Sequence, residues 1–152
     1  MALDVTAATT IAVDPGRVFA YATDPRNDPV WIGGITEAEL LGDPPLEKGS
    51  AVRRLASFMG RRIEYVLKVA ELEPGVRLAM RSVRSPFPMA VTYSFDPVAE
   101  GTVMRIRVEG QPGGMYRLPG PLLPGMVRRS VSRDLRRLRR IIEAGTKPHH
   151  PQ

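Results

Sequence analysis

Between Ile35 and Gln111, turn signals interrupt the chain at short intervals and no long helical pattern intervenes, which commits this stretch to an antiparallel sheet. Gly42-Asp43-Pro44-Pro45 ends the segment Ile35–Leu41, and Met59-Gly60 joins Ser50–Phe58 to Arg61–Glu71 as a tight hairpin. Glu73-Pro74-Gly75 turns into Val76–Val83, Ser85-Pro86-Phe87-Pro88 leads to Met89–Phe95, and Asp96 to Gly101 turns into Thr102–Glu109. Alternation separates the faces. Ile63, Tyr65, Leu67 and Val69 share one side of their strand with Glu64 and Lys68 on the other, and Met104, Ile106 and Val108 alternate with Arg105, Arg107 and Glu109. Val91, Tyr93 and Phe95 alternate in the same way with Thr92 and Ser94. One face is apolar and the other wet.

The ends of the chain cover the apolar face. Val5 to Val13 is β-rich and makes a further strand, about seven in all. Asp14-Pro15 then reads as an N-cap followed by proline at the first helical position, with Val18, Phe19 and Ala22 as an apolar stripe. Asp24-Pro25 ends that helix, and a second short turn or helix runs from Arg26 to Trp31 before Gly33-Gly34. Gln111 to Gly125, broken by Pro112-Gly113-Gly114, Pro119-Gly120-Pro121 and Pro124-Gly125, reads as a lid-like loop leading into the last helix.

That last helix, Gly125 to Ala144, holds most of the chain's excess charge. It carries seven arginines against Asp134 and Glu143, leaving 15 basic and 14 acidic residues elsewhere in a chain of net charge +6. Val127, Val131, Leu135, Leu138 and Ile142 recur at steps of three and four, with Leu123 and Ile141 on the same side, and the arginines occupy nearly the opposite half of the wheel. Gly145 and Pro148 are its stop signals. The Arg face is either a solvated surface over a core-packed helix or a binder of anionic headgroups or phosphates. No nucleic-acid partner is expected: the rest of the chain is not basic, and no aromatics interleave with the arginines. Asp134 breaks the wheel, projecting within the apolar arc about 20° from Val127. A carboxylate there either pairs with an arginine or caps a loop, or else acts as an acid, base or ligand anchor.

Composition removes several chemistries. The 152 residues include no cysteine, and the two histidines, His149 and His150, sit in a proline-flanked tail. No disulfide framework, no thiolate or histidine metal site and no Ser-His-Asp or Cys-His catalyst is therefore expected in the core, and no cofactor or metal is expected at all. Apolar runs fall short of the ~20 residues that span a bilayer, and MALDVTAATT lacks the pattern of a signal peptide. The expectation is one cytoplasmic, soluble domain over residues 1–144 with a disordered tail, 145–152, and no stable membrane insertion. Gly42 to Ser50 fails as a phosphate-binding loop because no glycine precedes Lys48 and the proline pair stiffens the turn. Arg107 and Glu109 are expected on the solvent face, away from any catalytic role.

Taken in order, Asp14-Pro15 with Val18-Phe19, Asp24-Pro25, Trp31, Gly49, Gly60, Val69-x-Glu71-x-Glu73-Pro74-Gly75-x-Arg77-Leu78, Tyr93-x-Phe95-x-Pro97, Gly101-Thr102 and Asp134-Leu135-x-x-Leu138 resemble the START-like, Bet v 1-like helix-grip superfamily. Within it the chain is similar to the bacterial polyketide cyclase/dehydrase and lipid-transport group, from about Leu3 to Ala144. The resemblance implies an α+β fold in which a curved antiparallel sheet wraps a long C-terminal helix, with two short helices after the first strand. It further implies a deep apolar cavity holding a hydrophobic small molecule such as a lipid, polyketide or aromatic compound. No shared catalytic set comes with it, so catalysis is left open between a carrier and a cyclase or dehydratase. Candidate ligand contacts are Trp31, Tyr65, Leu67, Met80, Tyr93, Met104, Ile106, Met126, Val127 and Asp134. Seven methionines suit an adaptable lining or simply fill a core. Trp31 is either a gate and stacking platform or a cap on the core at the sheet edge. Tyr65 and Tyr93 either meet a ligand from inside or satisfy their hydroxyls on backbone or water. Weak contact of the Arg-rich helix with anionic surfaces, and a homodimer, are left open.

Overall fold

A computed structural model describes residues 3–58, 60–112 and 122–146. In chain order, β1 (Leu3–Ile11) is followed by α1 (Pro15–Ala22), a 3-10 turn at Pro25–Asn27 and α2 (Asp28–Trp31). Then come β2 (Ile35–Leu41), β3 (Ala51–Phe58), β4 (Arg61–Glu73), β5 (Arg77–Arg84), β6 (Met89–Val98), β7 (Gly101–Gly110) and α3 (Leu122–Thr146). The strands form one antiparallel sheet in the order β1-β7-β6-β5-β4-β3-β2, so the first two strands in sequence are its two edges. Register shifts in β4, between Val66 and Leu67 and between Val69 and Glu71, are bulges of the kind that bend a sheet. The architecture is the expected α+β arrangement of curved sheet and long terminal helix.

Local chemistry sets the element ends. Asp14 caps α1 by accepting from Arg17 N at 3.2 Å with Pro15 at the first position, and Asp24 accepts from Arg26 N at 3.0 Å to start the next turn. Gly101 has φ +141°, and a Cβ there would lie 2.2 Å from the Ile11 carbonyl oxygen; only glycine lets β7 begin this close to β1. The last helix begins at Leu122, inside what reads in sequence as a broken loop, and runs through Gly145 to Thr146. Pro124 is tolerated because the first turn of a helix needs no N–H donor. The remainder of the expected loop, 113–121, and the tail from 147 onward lie outside the described residues, as does Met59 of the expected hairpin.

Helix α3 packs along β1 and over the concave face, with α1 and α2 beside it. Its buried residues Leu135, Leu138 and Ile142 meet Ile11, Phe95 and Met104 in one core. On the opposite face the charges pair across strands: Arg53 bridges Glu37, Glu39 and Glu64, and Arg107 pairs with Asp4. The balanced charges of the body thus meet in pairs on this face. Arg128, Arg129, Arg133, Arg136, Arg139 and Arg140 are exposed on α3, on the side of the wheel away from the apolar stripe.

Candidate functional site

The two layers do not close on each other everywhere. Beneath the N-terminal half of α3 lies a chamber of about 200 Å³ whose walls are mostly apolar. The sheet side is formed by Ala56, Ile63, Tyr65, Val91, Tyr93 and Ile106, and the helix side by Val127, Ser130, Val131 and Asp134. Exposed lining residues at one end, Gly33, Gly34, Ser57 and Ser130, mark where the chamber reaches the surface.

Trp31, Tyr65, Tyr93, Ile106, Val127 and Asp134 all line this chamber. Leu67, Met80 and Met104 do not; they are buried in the solid part of the core, and Met80 borders only a crevice of about 10 Å³. Met126 lies on the outer side of α3 and is exposed, because its position on the wheel falls outside the apolar arc that Val127 and Val131 share. Glu109, expected on the solvent face, is half-buried at the rim, where it lies 3.6 Å from Arg107.

The deep wall carries a polar cluster that pattern reading misses. Arg54, 4% exposed, donates from Nε to Asp28 Oδ2 at 3.0 Å and lies 2.9 Å from the same oxygen through Nη2; Asp28 is 2% exposed. Arg54 Nη2 also donates to Tyr93 Oη at 3.2 Å. Tyr93 in turn packs edge-to-face on Trp31, with ring centroids 5.9 Å apart. A signal for Arg54 existed. It stands between Val52 and Ala56 at an inward position of β3, where the alternation admits no solvent exposure. Asp28, in a four-residue helix, carried no such signal.

Burial shifts these groups. It pushes the Asp28 carboxyl above its ordinary value, with Arg54 pulling it back. For Arg54 itself burial opposes the charge, but Tyr93 and Asp28 outweigh it and the guanidinium stays well above the ordinary arginine range. Tyr93 is pushed up to about 12 by burial, so it is a phenol at neutral pH.

Asp134 sits at the mouth. Its Oδ1 accepts from Gly33 N at 2.9 Å and lies 3.9 Å from Arg137 Nη1, and Arg137 donates to the Trp31 carbonyl at 3.3 Å. The carboxylate that breaks the helical wheel therefore ties α3 to the corner between α2 and β2. A Cβ on Gly33 would come within 3.2 Å of Oδ1, and Gly34 turns the chain at φ +91°. Burial raises the Asp134 pKa to about 6, against the Gly33 hydrogen bond and Arg137, which lower it. Among the described residues no group of three or more acidic or histidine side chains is placed to hold a metal ion, and no helix is long and apolar enough to cross a membrane.

A curved antiparallel sheet gripping a long terminal helix, with a chamber between them, defines the START-like helix-grip class. Residues 2–143 match the family model for polyketide cyclase / dehydrase and lipid transport, and the chain belongs to that family. Among solved structures, a START superfamily protein from Mycobacterium smegmatis is similar at TM-score 0.81 and 14% identity, over 94% of this chain and 99% of that one. Zhui aromatase/cyclase from Streptomyces sp. R1128 is similar at 0.77 and 16%, over 97% of each chain. Ginseng major latex-like protein 151 from Panax ginseng is similar at 0.69 and 16%, over 97% and 99%. Likeness at these identities bears on the fold alone. No curated protein matches the sequence.

Proposed function

We propose that the protein binds and carries a hydrophobic small molecule in the chamber beneath α3. The observation that carries this reading is a void of about 200 Å³ between sheet and helix, walled mainly by apolar side chains. Interiors rarely keep such space empty, and a dry apolar cavity of about 150 Å³ is enough to bind benzene. The chamber therefore suits a molecule, or the end of a molecule, built on one ring or a short branched chain. Each ~100 Å² of apolar ligand surface buried there contributes about 2.5 kcal/mol.

Native mass spectrometry of freshly purified protein tests the reading: an apolar adduct is expected on the wild type and none on Val131→Phe, whose ring would occupy the chamber. A wild type free of adduct that also binds no apolar probe overturns it.

Asp134 favours a second reading, that of a cyclase- or dehydratase-type enzyme using the same chamber. A carboxyl titrating at about 6 on the chamber wall holds both protonation states near neutrality, as an acid or base requires. The chamber would supply the folding of a reactive chain and Asp134 the proton transfer. On this reading Asp134→Asn abolishes turnover of a poly-β-keto substrate while binding survives; unchanged turnover removes Asp134 from any catalytic role.

A further inference from the structure

The deep wall of the chamber carries a hydroxyl that meets no acceptor among the described residues. Tyr65 is 8% exposed and lines the chamber, and its hydroxyl makes no hydrogen bond among the described residues. Trp31 lines the same wall, but its Nε1 is covered and not open to the chamber, and has no partner among the described residues. Tyr93 Oη accepts from Arg54, which polarises its O–H and leaves that proton available to a third group. Buried polar hydrogens are seldom left without an acceptor in a finished site. Among the described residues, no acceptor meets the Tyr65 hydroxyl where it faces the chamber.

The charge balance restricts which acceptor fits. Arg54 is the one cation among the described lining residues, and its charge is already matched by Asp28 at 2.9 Å. The lining carboxyls, Asp134 and Glu109, lie at the mouth and the rim. An anionic head entering the chamber would shed its water and meet no unmatched positive charge. At the deep wall a cationic head would meet donors and a guanidinium.

We infer that the ligand presents a neutral acceptor oxygen, an aldehyde, ketone or ester carbonyl, to the deep wall, where the Tyr65 hydroxyl donates to it. This deepens the proposed function and rests on the chamber being a ligand site. The apolar body of the molecule then lies between Ile63, Val91 and Ile106 on the sheet and Val127 and Val131 on α3.

Isothermal titration calorimetry at pH 7.5 with ethylbenzene, acetophenone and benzoate separates the cases, since the three differ in the head group and little in size. Acetophenone is expected to bind about tenfold more tightly than either of the others, the increment of one well-made neutral hydrogen bond. Tyr65→Phe is expected to bring acetophenone down to the level of ethylbenzene and to leave ethylbenzene within about twofold. The hydroxyl removed holds nothing in the fold, so the thermal midpoint of this variant should match the wild type. Equal affinity for ethylbenzene and acetophenone, tighter binding of benzoate, or an equal loss for both neutral probes in Tyr65→Phe overturns the inference and leaves the chamber as a ligand site. Failure of all three probes to bind overturns the chamber reading itself.

Discussion

The two halves of the space between sheet and helix are built from the same strands and the same α3, yet one half is solid and the other hollow. At the solid end Leu135, Leu138 and Ile142 of α3 face Ile11, Phe95 and Met104, and Phe19 of α1 sits edge-to-face on Phe95 with centroids 5.2 Å apart. One to three turns toward the N-terminus the residues that face the sheet are Val127, Ser130, Val131 and Asp134, and the chamber opens beneath them. Side-chain volume along one helix face accounts for the change: Leu135, Leu138 and Ile142 give way to Val127, Ser130, Val131 and Asp134. The hollow end compensates with polar order, because its wall is pinned by Arg54, Asp28 and Tyr93 and its mouth by Asp134 on Gly33. A packed core is stabilised by volume, whereas this chamber keeps its shape through a few directional contacts.

The contrast breaks most readily at Arg54. Arg54→Met leaves Asp28 buried without its cation and should cost about 3–5 kcal/mol in urea denaturation. Adding Asp28→Leu should recover most of that loss, since replacing both members of a buried pair by apolar groups is close to neutral. If the single variant is as stable as the wild type, the polar wall is not what holds the hollow end open.

Truncating the helix face then measures the difference directly. Leu138→Ala at the solid end should cost about 3–4 kcal/mol, because the surrounding side chains cannot collapse into the space. Val131→Ala, whose side chain already borders a void, loses fewer contacts and should cost about 1 kcal/mol by the same denaturation measurement. Equal costs would mean that the two ends are packed alike.

Much of this contrast could be read from the sequence, and the unread part has a physical cause. Strand alternation placed Tyr65, Tyr93 and Ile106 on the inner face, and the helical wheel placed Val127 and Asp134 toward it; all five line the chamber. Periodicity assigns a face and not a depth along the element, so Leu67, Met80 and Met104 share the inner face and yet lie in the solid part. Met126 suits a lining only by residue type, and the wheel, followed strictly, turns it outward. Arg54 was legible by its parity in β3. Its partner was not, because Asp28 reaches it across 26 positions in sequence through a corner whose geometry depends on Gly33 and Gly34. Pairings made by tertiary folding leave no local pattern.

The remaining expected effect concerns the mouth and is a dependence on pH. Asp134 titrates at about 6 in the folded chain, against 3.8 for a free aspartate. Between those values the native state holds its proton where the unfolded chain has released it, so stability falls as pH rises from 4 toward 6 and then levels off. Arg137 and Arg133 on α3 and the Gly33 N–H limit the fall without reversing it. Asp134→Asn keeps an oxygen for Gly33 N and has no proton to lose, so the variant should match the wild type at pH 4. At pH 7.5 it should exceed it by on the order of 1–2 kcal/mol, after allowance for solvent reaching the mouth. Comparison of urea midpoints for the two proteins across this range isolates Asp134 from the surface carboxylates, Asp4 and Asp24 among them, whose pKa values are lowered and whose contributions run the other way. Parallel curves would show that the Asp134 carboxylate is as well solvated as a surface group, and the mouth would then be wet and open where the chamber behind it is dry.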